Sequence, residues 1–145
     1  MSIDNDKVNP AELTVLVTGA TAGFGYATAK RFHEQGAKVI ATGRRQERLD
    51  ELASEFGNQR IHTVKLDVRD RDAVFKMVDD LPGEFAEVDV LVNNAGLALG
   101  LEGAQEAVLD DWDTMVDTNC KGLMYCTRAL LPGMCKRDRG HVINL

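Results

Sequence analysis

Three glycines within seven residues, Gly19, Gly23 and Gly25, punctuate the stretch Thr18-Gly19-Ala20-Thr21-Ala22-Gly23-Phe24-Gly25. Residue types at this spacing can cradle a phosphate. Gly19 allows a sharp turn, because glycine tolerates positive φ. Gly23 lets the backbone come close to a pyrophosphate, and Gly25 lets a helix pack tightly on a strand. A helix starting there offers free N–H groups and the positive end of its dipole to an anion. The spacing is G-x-x-x-G-x-G rather than the usual G-x-G-x-x-G dinucleotide fingerprint. Taken alone, the loop leaves an ordinary turn open.

Three further clusters carry chemistry. Gly43-Arg44-Arg45 follows an apolar run and has no acidic residue where an NAD site places one for the ribose 2′-hydroxyl. Gly43 leaves room there, and the two arginines offer planar donor forks suited to a phosphate. The alternative is a pair of solvated arginines opening a helix. Asp67 with Val68 can receive an adenine amino group, and the same carboxylate can cap the following helix. Asn93, Asn94, Ala95 and Gly96 end another apolar run. The asparagines are expected to tie strand to loop, and Gly96 to admit a ribose. The choice at Arg44 and Arg45 predicts NADP(H) over NAD(H).

The elements that must position these clusters alternate along the chain. Leu13–Thr18 reads as a strand, and Tyr26–Gln35 as a helix closed by Gly36. Lys38–Thr42 is a strand. Leu49, Leu52, Ala53 and Phe56 mark a helical stripe ended by Gly57 and Asn58. Arg60–Leu66 is a strand. Val74, Met77, Val78 and Leu81 repeat the helical spacing, with Asp70 as N-cap and Pro82-Gly83 as stop. Val88–Val92 is a strand, and a loop through Gly96, Gly100 and Gly103 leads to a helical region, Asp110–Lys136. Pro132-Gly133 is expected to kink or end it. His141–Leu145 begins a fifth strand. The pattern predicts an α/β chain, a doubly wound parallel sheet of the Rossmann type covered on both faces. Ligands then bind beyond the carboxyl ends of the strands, where all four clusters fall. Residues 1–10 read as a flexible tail and 11–145 as one NADP-binding domain.

Composition bounds the partners. The chain has 145 residues, 44% hydrophobic and 28% charged, with net charge −6. An acidic balance argues against nucleic acid or an anionic membrane. No apolar run approaches the ~20 residues of a membrane span, and no signal-peptide core is evident. Cys120, Cys126 and Cys135 lack C-x-x-C spacing, which points to free thiols in a reducing, cytoplasmic setting. His33, His62 and His141 are scattered, so no metal site is expected.

Together, the Thr18–Gly25 loop, Asp67, the Asn93–Gly96 stretch and Asn119 in Asp-Thr-Asn-Cys-Lys-Gly resemble the short-chain dehydrogenase/reductase family. Longer stretches, such as KVIATGRRQERLDEL and DVLVNNAGLALG, look nearest to bacterial NADP-dependent 3-hydroxy acid dehydrogenases. The resemblance implies hydride transfer between NADP(H) and a small hydroxy or keto substrate, with serine or allo-threonine as examples. It implies cofactor contacts from Thr18, Gly19, Thr21, Gly23, Phe24, Gly25, Arg44, Arg45, Asp67, Val68, Asn94, Ala95 and Gly96, and homotetramers or dimers of full-length members. Of the family's catalytic Asn, Ser, Tyr and Lys it supplies only Asn119, on a helix that opens to hold a water. Tyr26 and Tyr125 do not carry over as the catalytic tyrosine. The expectation is a Rossmann fold truncated after the fifth strand, short of the Ser, and inactive alone. Leu97–Gly100 would touch the substrate's near side. Leu123, Leu130, Leu131 and Met134 are expected to form an exposed patch. A non-catalytic NADP-binding module, a sensor or scaffold, is the competing reading.

Overall fold

The computed structural model describes residues 8–145; most of the expected 1–10 tail lies outside them. A 3-10 turn, Pro10–Glu12, opens the described chain, its amide at Ala11 capped by the Asn9 side chain. Five strands follow: β1 Thr14–Val17, β2 Lys38–Gly43, β3 Ile61–Lys65, β4 Val90–Asn93 and β5 His141–Asn144. The helices are α1 Gly23–Glu34, α2 Gln46–Glu55, α3 Arg71–Asp79, α4 Leu109–Val116 and α5 Leu123–Lys136, with a π-helical segment, Asp117–Gly122, joining the last two.

The strands form one parallel sheet in the order β3-β2-β1-β4-β5. Alternation along β1 sends Val15 and Val17 to one face and Leu16 to the other, and all three are fully buried. On the first face Ala29 of α1 and Leu49 and Leu52 of α2 complete the core. On the second, Val74 and Met77 of α3 and Cys126, Leu130 and Met134 of α5 do so. A sheet covered on both faces explains why β1 and β4 read as continuous apolar runs. The expected doubly wound Rossmann architecture is present, with five strands. Because β1 lies beside both β2 and β4, the chain reverses direction across the sheet between β1 and β4. That switch opens a crevice at the carboxyl edge.

Local signals explain the element ends. Asp70 caps α3, its Oδ1 accepting from Ala73 N at 3.0 Å; Asp67 does not cap that helix. Gly36 closes α1 at φ +88°, and Gly57 and Asn58 leave α2 at φ +75° and +55°. Two expectations are corrected. Pro132 neither ends nor breaks α5, which runs on to Lys136. Arg128 and Pro132 both face solvent, so water can reach the carbonyl that loses its partner, while Leu130 and Met134 anchor the opposite face. For the same reason Leu130 and Met134 are buried and leave the supposed exposed patch. The large apolar side chains that do face solvent there are Leu109, Trp112, Val116, Met124 and Leu131.

Candidate functional site

The ends of β1 to β4 meet around one cleft of about 540 Å³. Of the residues singled out from the sequence, Gly19, Thr21, Gly23, Arg44, Arg45, Asp67, Val68, Asn94, Ala95 and Gly96 line it. Thr18, Phe24, Gly25 and Asn119 do not. Each of these four has a different place, and three of them hold the lining in position.

Thr18 builds the crevice from beneath. Its buried hydroxyl accepts from Asn94 N at 3.0 Å and Ala95 N at 2.9 Å. Asn94 returns the contact, its Nδ2 donating to Thr18 O at 3.0 Å and Gly19 O at 3.1 Å. Strand end and glycine loop are therefore stitched together, as expected for the asparagine. Asn93 points elsewhere, donating to Thr127 Oγ1 and Asn144 Oδ1. Gly19 turns at φ +63°, and a Cβ there would lie 2.9 Å from Ala95 Cα. Gly25 is tighter still: a Cβ would lie 2.2 Å from Asn94 Nδ2 and 2.3 Å from Gly19 O. It is the contact that seats α1 on the crevice.

Gly23 is different, with φ +56° and open space where a Cβ would be. The α1 N-terminus has no side-chain cap, since Ala22 occupies the cap position. Its first-turn N–H groups therefore receive no acceptor from the cap side chain. Phe24 sits on this turn but points into solvent, 83% exposed, and does not line the cleft.

At the end of β2, Gly43 makes room for a neighbour rather than for open space. A Cβ there would come within 2.7 Å of the Thr21 methyl. Arg44 and Arg45 are exposed, line the cleft and form no ion pair with a described residue. Across from them stands Asp67. Arg69 grips its carboxylate, with Nε 3.0 Å from Oδ1 and Nη2 2.6 Å from Oδ2. The Arg69 hydrogen bonds hold the Asp67 carboxyl below its ordinary range, against the partial burial that pushes it up.

Asn119 lies in the π-helical segment. Such a segment widens the helix by one residue per turn and is frequent at functional sites. Here it turns the Asn119 amide toward the loop after β4. Nδ2 donates to Leu97 O at 2.8 Å and Oδ1 accepts from Leu97 N at 2.9 Å. Gly122, in the same segment, has no room for a Cβ, which would fall 2.5 Å from Val68 Cγ2. The segment thereby closes the cleft from the α5 side.

Sequence reasoning passed over Ala22, Thr42, Leu66, Thr118, Gly122 and Arg69, and gave Leu97 to the substrate's near side rather than to this cleft. Only Arg69 had a local signal, an arginine two residues beyond an aspartate at a turn. Thr42 is conspicuous because its buried hydroxyl has no hydrogen-bond partner. Tyr26 and Lys30 stand four apart on α1, but the Tyr26 hydroxyl is 2.5 Å from Glu55 Oε1. That carboxylate pushes the phenol up from its ordinary value, opposite to what proton abstraction needs. Among the described residues no group of three or more His, Cys, Asp or Glu is placed to hold a metal ion. The three cysteines are free.

The family profile described as short chain dehydrogenase matches residues 13–145. The chain belongs to this family. It is 59% identical over 133 residues to an NADP-dependent 3-hydroxy acid dehydrogenase of Escherichia coli, covering 92% of this chain and 53% of that protein. It is 54% identical over 132 residues to a serine 3-dehydrogenase of Agrobacterium fabrum, covering 91% of this chain and 52% of that one. Among solved structures, serine dehydrogenase from Escherichia coli matches with TM-score 0.87 at 60% identity, over 90% of this chain and 60% of that one. A closed form of serine dehydrogenase complexed with NADP+ matches with TM-score 0.88 at 60% identity, over 90% of this chain and 52% of that one. The chain thus spans about half the length of the curated relatives it matches.

Proposed function

We propose that residues 11–145 form an NADP(H)-binding domain, the cofactor part of an oxidoreductase that moves hydride between NADP(H) and a small hydroxy or keto substrate. The observation that carries this is the cleft itself. One concavity gathers the glycine loop, two unpaired arginines and the Asp67 carboxylate. The uncapped start of α1 receives the pyrophosphate, with Gly19, Thr21 and Gly23 as its lining and Gly25 and Thr18 beneath. Phe24 contributes only its backbone. Arg44 and Arg45 take the 2′-phosphate. Asp67 and the Val68 backbone receive the adenine, and Asn94, Ala95 and Gly96 border the ribose toward the nicotinamide. The bound cofactor supplies hydride chemistry; these residues bind and orient it. Asn119 holds Leu97 and so shapes the substrate's near side. The kinship to 3-hydroxy acid and serine dehydrogenases favours a 3-hydroxy acid, such as serine or allo-threonine, as substrate.

The 145-residue chain by itself fits the narrower role of an NADP-binding module without turnover. Tyr26 is tied to Glu55, and general acid–base catalysis is commonly worth ~10²–10⁴-fold. A cytoplasmic location rests on the three free thiols. Among the described residues no helix is long and apolar enough to cross a membrane. Self-association through α4 and α5 rests on exposed Leu109, Trp112, Val116, Met124 and Leu131.

Titration calorimetry with NADP+ and NAD+ on this chain tests the reading. An extra phosphate near one arginine gains up to ~4 kcal/mol at an effective dielectric of about 20 before desolvation. If about a quarter survives, NADP+ binds roughly fivefold more tightly than NAD+. Arg44→Asp with Arg45→Ala removes that preference. An unchanged affinity ratio, or no binding of either dinucleotide, overturns the assignment.

A further inference from the structure

We infer that Arg69 is a positioning residue for base recognition: its N–H groups hold the Asp67 carboxylate at the cleft with one acceptor position left over. This rests on the cofactor reading above. Asp67 lines the cleft, whereas Arg69 does not. A carboxylate offers about four acceptor positions. Arg69 N and Arg69 Nε both donate to Oδ1, each at 3.0 Å. Arg69 Nε also reaches Oδ2 at 3.1 Å, and Nη2 donates to Oδ2 at 2.6 Å. Nε shares one proton between the two oxygens, so three N–H donors take three of the four positions and one is left.

The clamp is local, made between residues two apart. Asp70 N donates to Asp67 O at 3.0 Å, which closes the turn that carries Arg69 back over Asp67. The charge of Arg44 on the carboxylate and that of Asp117 on the guanidinium both favour the ionised pair. A planar fork fixes the plane of the carboxylate as well as its position, which a point charge cannot do. Fixed in this plane, the carboxylate can accept from one further N–H donor and repels an acceptor in the same place. Adenine presents an amino group at position 6 and hypoxanthine a carbonyl. The clamp therefore reads the base, although it never touches it.

The test compares NADP+ with its hypoxanthine analogue by titration calorimetry on the whole chain. Wild type should favour NADP+ by about tenfold, the worth of one hydrogen bond to a charged acceptor. Arg69→Gln should lower that ratio to about threefold or less. Arg69→Lys, which keeps the charge without the fork, should fall between, and Asp67→Asn should bring the ratio near one. Equal weakening of both dinucleotides in Arg69→Gln, with the ratio unchanged, assigns Arg69 a merely structural role and overturns the inference alone. A wild-type ratio in Arg69→Lys overturns the fork geometry. Failure of wild type to bind NADP+ overturns the cofactor reading and this inference with it.

Discussion

Replacing Gly25 with alanine adds one methyl group at the tightest point of the crevice. The new Cβ would stand 2.2 Å from Asn94 Nδ2, 2.3 Å from Gly19 O and 3.0 Å from Gly19 C. Two of these three atoms are backbone, and the third, Asn94 Nδ2, is tied to Thr18 O and Gly19 O. Either α1 lifts from the sheet or the Gly19 turn and Asn94 move together. Overpacking of this kind costs about 1–3 kcal/mol. Moving Asn94 also strains its bonds to Thr18 O and Gly19 O, each worth about 1 kcal/mol. Against this stands up to ~1 kcal/mol gained by alanine over glycine in a helix. The net is a loss of roughly 2–4 kcal/mol, or a fall in Tm of around 10 °C for a chain of this size. Gly23→Ala is the matched comparison: nothing lies within 4 Å of its Cβ, and only φ +56° opposes it. It should cost about 1–2 kcal/mol. Thermal melts of both variants by circular dichroism check the order. A Gly25→Ala protein that melts with or above Gly23→Ala refutes the packing argument.

Other outcomes follow from particular side chains. The same substitution at two threonines should have opposite signs: Thr18→Val strips the acceptor from Asn94 N and Ala95 N and should cost about 2–4 kcal/mol. Thr42→Val removes a buried hydroxyl without a partner and should leave stability unchanged or raise it by about 1 kcal/mol, both read by urea denaturation. Cys126 is buried and its thiol pushed up to about 12 by desolvation, so at pH 8 a thiol reagent should label Cys120 and Cys135 in the native state and Cys126 only after denaturant is added; three fast thiols in native protein would contradict the packing of α5. Asn119→Ala frees both backbone groups of Leu97 and should speed amide exchange from Leu97 to Gly100 by tenfold or more (~1.4 kcal/mol) with little change in Tm, measured by hydrogen-exchange mass spectrometry.

Much of this molecule is written locally in its sequence, for a physical reason. Helix spacing, strand runs and chain stops are set by neighbours within four or five residues, so Asp70 as a cap and Gly36 as a stop were legible without coordinates. The four chemical clusters were legible too, because a parallel sheet brings every strand's carboxyl end to one edge. What the sequence could not say is which partner each side chain meets across the fold. Asn94 meets residues 75 and 76 positions away, and Asn119 meets Leu97 across 22. That Pro132 does not end α5 was not legible, because its cost depends on whether the freed carbonyl faces water. Leu130 and Met134 were misjudged because the face an apolar helix presents is settled by α3 and the sheet. Gly43 is small for Thr21, a residue of another loop, and Gly122 for Val68. The residue types were enough to name a glycine-rich loop and two arginines beyond it. That Asp67 is held by Arg69, that Asn94 stitches β4 to the glycine loop, and that a π-helical turn brings Asn119 against Leu97 were decided only by the tertiary structure, because distance through space is not distance along the chain.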